Sequence, residues 1–178
     1  MPPWWLLGIG FTHVQILSQY AGSGLFHGMA GLPVSTDVAW FVGMGANILV
    51  LLACGAVFRG PRLDRLKRLL APSIILNIVG FLLSVWPTGV TANDDPVALL
   101  GAIALGMGQA IMFLLWADVF NRAKIEEAEI ALPLSSLVVL AYAVVVPLLP
   151  ASLNGIPMLV APLASGATLY LSFQRLPV

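Results

Sequence analysis

The sequence predicts an all-α integral membrane protein, and three observations carry the prediction. Apolar residues make up 60% of the 178 positions, even before the 17 glycines are counted. Charged residues make up only 9%, against about 25% in soluble domains. The apolar residues fall into runs of roughly 20, the length a helix needs to cross the hydrocarbon core. Tilted barrel strands of about 10 residues would alternate polar and apolar positions, and no segment does so. The balance of eight Lys+Arg against eight Asp+Glu leaves no basic field for nucleic acid. A single Cys and two His cannot supply a thiolate zinc site or a disulfide framework.

Six transmembrane helices are expected, over about 4–21, 38–58, 69–90, 96–120, 131–149 and 156–174. The first follows Met1-Pro2-Pro3 and opens on Trp4 and Trp5, residues suited to the membrane interface. No cationic stretch precedes it, which argues against a signal peptide, although the small residues Ala21 to Gly24 leave a cleavage site open. The second holds Cys54, read as a small packing residue. The fourth is preceded by Asp94-Asp95 and starts on Pro96, which suits the positive end of a helix dipole. Pro162 is expected to kink the sixth. Between the first and second, Gly22 to Asp37 reads as a flexible outer loop or a segment dipping back into the bundle; its His27 has no assigned role. Three spans plus three could form an inverted repeat, but the two halves share too little sequence to establish one.

Charge sets the orientation. Arg59, Arg62, Arg65, Lys67 and Arg68 lie between the second and third spans, Arg122 and Lys124 between the fourth and fifth, and Arg175 after the sixth. All eight cations thus fall on one side, while Asp37, Asp94 and Asp95 fall on the other. Basic loops stay in the cytoplasm, so a multi-pass protein of the plasma (inner) membrane with both termini in the cytoplasm is expected. A span more or fewer would scatter the cations over both faces.

Small residues four apart, Ala102, Gly106 and Ala110 in the fourth span and Ala161 and Ser165 in the sixth, read as close helix contacts. Met44, Met107 and Met112 read as core filler. Polar groups inside hydrocarbon are costly and face the bundle interior. They occur near the middle of the spans: Thr12, His13, Gln15 and Gln19 in the first, Asn47, Asn77, Gln109 and Tyr142 in the next four, and Ser165 in the sixth. Positions 12, 15 and 19 share one helical face. Two readings fit these groups, a small polar ligand cavity at the midplane or amides pairing to hold helices together. The ligand-contact candidates are His13, Gln15, Asn77 and Gln109. No carboxylate shares the depth of His13, which argues against a proton relay. Asp118 pairs with Arg122 one turn on, or acts with Arg65 as a latch to the basic loop. The chain has no Ser/His/Asp set, paired intramembrane carboxylates or phosphate-binding glycine loop, so no enzymatic activity, cofactor or metal is expected.

Asp64-Arg65-Leu66-Lys67-Arg68 resembles the Asp-Arg-x-Gly-Arg-Arg element between helices two and three of the major facilitator superfamily, without its glycine. Gly106-Met107-Gly108-Gln109 resembles that superfamily's glycine-rich fourth helix. The resemblance implies half of a facilitator fold, lacking the charged residues typical of coupled transport. A narrower resemblance rests on Leu114-Leu115-Trp116-Ala117-Asp118-Val119-Phe120, Leu132-Pro133-Leu134-Ser135-Ser136-Leu137 and Ala161-Pro162-Leu163-Ala164-Ser165. Over most of residues 38–174 the chain is similar to the membrane-spanning N-terminal region of LuxR-type transcriptional regulators from anaerobic gut actinobacteria. In that family a cytoplasmic helix-turn-helix domain follows, and these 178 residues hold no counterpart of it.

The leading expectation is therefore a sensory or regulatory membrane module. An unidentified small molecule enters from outside and biases helix packing, and the change reaches the cytoplasm through the basic loop and the C-terminal end. The rival is a half-size small-molecule transporter acting as a homodimer; a purely structural membrane subunit is a third reading.

Overall fold

The computed structural model describes residues 4–20, 37–57, 67–84, 96–145, 148 and 156–175. Among these residues the chain is helical and has no strand. A 3-10 turn, Trp4–Gly8, runs into α1 (Ile9–Tyr20), followed by α2 (Asp37–Val57), α3 (Leu70–Ser84), α4 (Pro96–Arg122), α5 (Ile125–Val145) and α6 (Ile156–Arg175). Each coincides with one of the six apolar segments. Four of them, α2, α4, α5 and α6, are long and apolar enough to cross a membrane. The 15 residues of α3 rise about 22 Å, less than a hydrocarbon core of about 30 Å. The 12 residues of α1 and the five of the preceding turn together rise about 28 Å.

The helix boundaries follow local chemistry. Pro96 opens α4, where its missing N–H costs nothing. Helix α5 starts at Ile125 rather than near 131, because Glu126 and Glu127 in its first turn sit at the positive end of the helix dipole. The carbonyl of Lys124 accepts the first helical bonds from the N–H groups of Glu127 and Ala128, both at 3.0 Å. Helix α6 continues without a break through Pro162. The end of the third expected span, the outer loop from Gly22, His27, Gln19's side chain, and the basic segment with Arg59, Arg62 and Arg65 lie outside the described residues.

Helix α4 forms the axis of the bundle. It packs most extensively against α3 and α2, and also touches α6 and α1. Although only Ala123 and Lys124 separate them, α5 leaves α4 and packs against α1 and the Trp4–Gly8 turn. Helix α1 packs against α6 and α5 as α4 packs against α3 and α2. Adding three to each helix number, counted cyclically, therefore carries one set of pairings onto the other, while α3–α6, α1–α4 and α4–α6 join the two sets, the last without a counterpart of similar extent.

Glycines permit the closest approaches. A Cβ on Gly106 would collide with the carbonyl of Gly43, and one on Gly80 would lie 2.6 Å from the backbone nitrogen of Leu105. Real Cβ atoms do not come so close to backbone, so α2, α3 and α4 are held at distances only glycine allows. Ala110 is fully buried, and Ala161 and Ser165 nearly so, as the four-residue spacings predict. Met112 is in the core, Met107 is half-buried and Met44 is exposed.

The main apolar core lies toward one end of the bundle. Leu6, Ile9, Leu115, Trp116, Val119, Ala131, Leu169 and Phe173 meet there, with Leu69 and Leu70 against them. The start of α1, α3 and α5 and the end of α4 and α6 thus share one end. Lys67, Arg68, Arg122, Lys124 and Arg175 all belong to it, as the charge pattern predicts. The outer surface is apolar: Phe41, Leu49 and Leu52 on α2 and Leu132, Leu137 and Leu140 on α5 are exposed. In water such a surface would be a liability; hydrocarbon accepts it.

Candidate functional site

The polar residues converge on one face of α1. Thr12 and Gln15 stand three residues apart, and both are buried. Gln15 Nε2 donates to Asn77 Oδ1 at 2.7 Å. Asn77, at the centre of α3, donates from Nδ2 to the carbonyl of Ser73 at 2.8 Å. Ser73 is buried one turn away; its hydroxyl donates to the Leu70 carbonyl at 2.7 Å, with Met112 Sδ 4.0 Å off. On the other side, the Thr12 and Ser165 hydroxyls are 2.8 Å apart. Trp116 Nε1 donates to the same Ser165 oxygen at 2.9 Å. Side chains of α1, α3, α4 and α6 are thereby tied together inside an apolar bundle.

These bonds suit the environment. A buried amide or hydroxyl without a partner costs about 1–3 kcal/mol, and lipid supplies none. The Gln15–Asn77 pair matches a donor with an acceptor, and Asn77 spends one of its two amide N–H donors within its own helix. The joint carries no charge. It is also tightly covered: a Cβ on Gly108 would lie 2.7 Å from Asn77 Nδ2 and 2.9 Å from its backbone nitrogen. The fourth helix thus rests directly on Asn77.

The four ligand-contact candidates are placed unequally. Gln15 and Asn77 are bonded to each other. Gln109 is buried in α4, one residue past the Gly108 contact. His13 lies outside the joint: a step of about 100° per residue turns it away from the Thr12–Gln15 face, and it is exposed. Its Nδ1 is 3.0 Å from the Ile9 carbonyl, and its ring meets that of Phe113 edge-on at 5.7 Å. Asn47 and Tyr142 are half-buried.

Trp116 and Ser73 belong to the joint, although the polar residues near span centres do not single them out. Ser73 shares a face with Asn77 at the i, i+4 spacing, which was the available signal. Trp116 stands in an apolar run near the end of α4, and nothing in the sequence marks its indole N–H as a partner for Ser165.

Of the two latch candidates, Asp118 is described and Arg65 is not. Arg122 Nε donates to both carboxylate oxygens of Asp118 at 3.1 Å. This is the within-helix pairing expected at that spacing. Nearby, Arg175 lies over the ring of Trp5, 4.5 Å from its centroid, and over Trp4 at 5.7 Å. Lys67 lies over Phe173 at 5.7 Å.

No protein-family model, curated protein or solved structure matches the chain.

Proposed function

We propose that the chain is a membrane-embedded sensory or regulatory domain, similar to the membrane part of a LuxR-type regulator and to half of a facilitator bundle. It crosses the plasma membrane six times with both termini in the cytoplasm. The observation that carries this reading is the uncharged polar joint, Thr12–Ser165–Trp116 and Gln15–Asn77–Ser73, at the crossing of four helices. A bundle of leucine and glycine needs no such network to pack. A network of exchangeable hydrogen bonds gives it a place where helix pairings can change, and a small polar ligand competing for Gln15, Asn77 or Gln109 would bias that change. The end of α6 and the start of α3 would pass it on, since Phe173, Leu69 and Leu70 pack in one core with residues of α1 and α4.

The test removes the joint in the native host. Gln15→Leu and Asn77→Leu together, with Gln109→Leu added, are expected to change the transcript profile. An unchanged profile with normal membrane levels of the protein would contradict the sensor reading. A second reading, a half-size transporter working as a homodimer, draws support from the three-plus-three repetition of helix pairings. Solute uptake by proteoliposomes containing this chain alone would favour it.

A further inference from the structure

One intramembrane amide stands apart from the joint. Asn47 is the midpoint of α2, ten residues from Asp37 and ten from Val57. Gln15 and Asn77 are bonded to each other, and Gln109 is also engaged. Asn47 is half-buried, and among the described residues nothing hydrogen-bonds its side chain. An amide open to hydrocarbon is costly, because neither water nor a lipid headgroup supplies a partner at that depth. The residues around it are ordered. Steps of three, four and three residues put Met44, Asn47, Leu51 and Cys54 on one stripe, the spacing of a coiled-coil seam. Along that stripe Met44 is 37% and Leu51 36% exposed, and Cys54 is half-buried. Helix α4 covers the adjoining side of α2 through Gly43, and no other described helix packs extensively on α2.

We propose that this stripe is where α2 meets the same helix of a second copy of the chain, with the two Asn47 amides hydrogen-bonded across a two-fold axis along the membrane normal. Three arguments select a second copy. Copies inserted under the same charge rule lie parallel, so identical residues meet at identical depth. An amide holds both donors and an acceptor, so it is its own electrostatic complement; each Asn47 donates from Nδ2 to the Oδ1 of the other, as an isologous contact requires. A single Asn in an otherwise apolar seam fixes register and the number of strands. The contact also accounts for Met44, which reads as core filler and is exposed. The inference rests on the membrane reading above and holds for a sensor and for a transporter.

The test uses the full chain in phosphatidylcholine liposomes. Cys54 is the only cysteine, and the seam sets it against its own copy, so oxidation with copper–phenanthroline should give a disulfide-linked dimer. Leu52 is exposed and lies about 160° away around α2; in a Cys54→Ala chain, Leu52→Cys should give little dimer. Lipid dilution, read by energy transfer between chains labelled at their amino termini, should show Asn47→Leu dimerising about tenfold more weakly than the native chain, and Asn47→Gln, which keeps the amide, within about threefold of it. Asn47→Leu removes no hydrogen bond among the described residues, so its fold should be kept. Equal cross-linking at positions 52 and 54, native dimerisation of Asn47→Leu, or a native chain that stays monomeric would overturn the contact. So would oxidation of host membranes that joins Cys54 to a different protein, which would give the stripe to another partner. Recovery of the native chain in the soluble fraction of cells would overturn the membrane reading itself, a result distinct from the others.

Discussion

Helices α4 and α5 are both apolar and both long enough to span a bilayer, yet α4 buries eleven of its residues and α5 two. Apolar content does not separate them. Glycine does: α4 carries Gly101, Gly106 and Gly108, each against another helix, and α5 carries none. Where lipid is as apolar as leucine, a helix becomes central by letting its neighbours approach closely. Helix α5 instead turns Leu132, Leu137, Leu140 and Val144 outward.

Four substitutions would break or sharpen this contrast. Gly106→Leu should have the largest effect, because the new side chain must displace the backbone of α2 at Gly43. A loss above about 4 kcal/mol is expected, in the range of severe overpacking and backbone displacement, read by denaturant unfolding in detergent. A variant as stable as the parent would show that α2 does not rest on α4 through these glycines. Asn77→Leu comes next. It strands Gln15 Nε2 and should cost about 1–3 kcal/mol. A double-mutant cycle with Gln15→Leu should give a coupling of about 0.6–2 kcal/mol, and strict additivity would deny the bond. Asp118→Asn should cost less than about 1 kcal/mol, since its pair with Arg122 is partly exposed; a larger loss would point to a second partner. Leu140→Ala, on the outer face of α5, should shift stability by no more than about 0.5 kcal/mol. A large loss there would mean that another surface covers α5.

The same contrast explains what could be read from the chain. The apolar runs locate every described helix, because a segment without charge or turn residues has few alternatives to a helix in lipid. The four-residue spacings of Ala102, Gly106 and Ala110 and of Ala161 and Ser165 mark close helix contacts without singling out α4 as the axis, and the shared face of Thr12 and Gln15 marks where the joint lies. Helical phase turns His13 off that face, so shared depth does not bring it to Gln15. The partner of Gln15 was not legible, because Asn77 and Gln109 are chemically equivalent and only the relative rotation of α3 and α4 puts Asn77 opposite it. The early start of α5 is masked by Glu126, Glu127 and Glu129, whose charge reads as loop although two of them lie in the first turn, at the positive end of the helix dipole. The stacking of Arg175 on Trp5 joins residues near opposite ends of the chain, and no local pattern encodes it.

The most direct test of the account is the side on which the basic end lies. In a Cys54→Ala chain, single cysteines placed as Arg62→Cys, Lys124→Cys and Asp94→Cys are probed with a membrane-impermeant maleimide in intact cells. The six-span arrangement predicts that Asp94→Cys is labelled at once, while Arg62→Cys and Lys124→Cys react only after permeabilisation. Labelling of Arg62→Cys or Lys124→Cys from outside intact cells would contradict it.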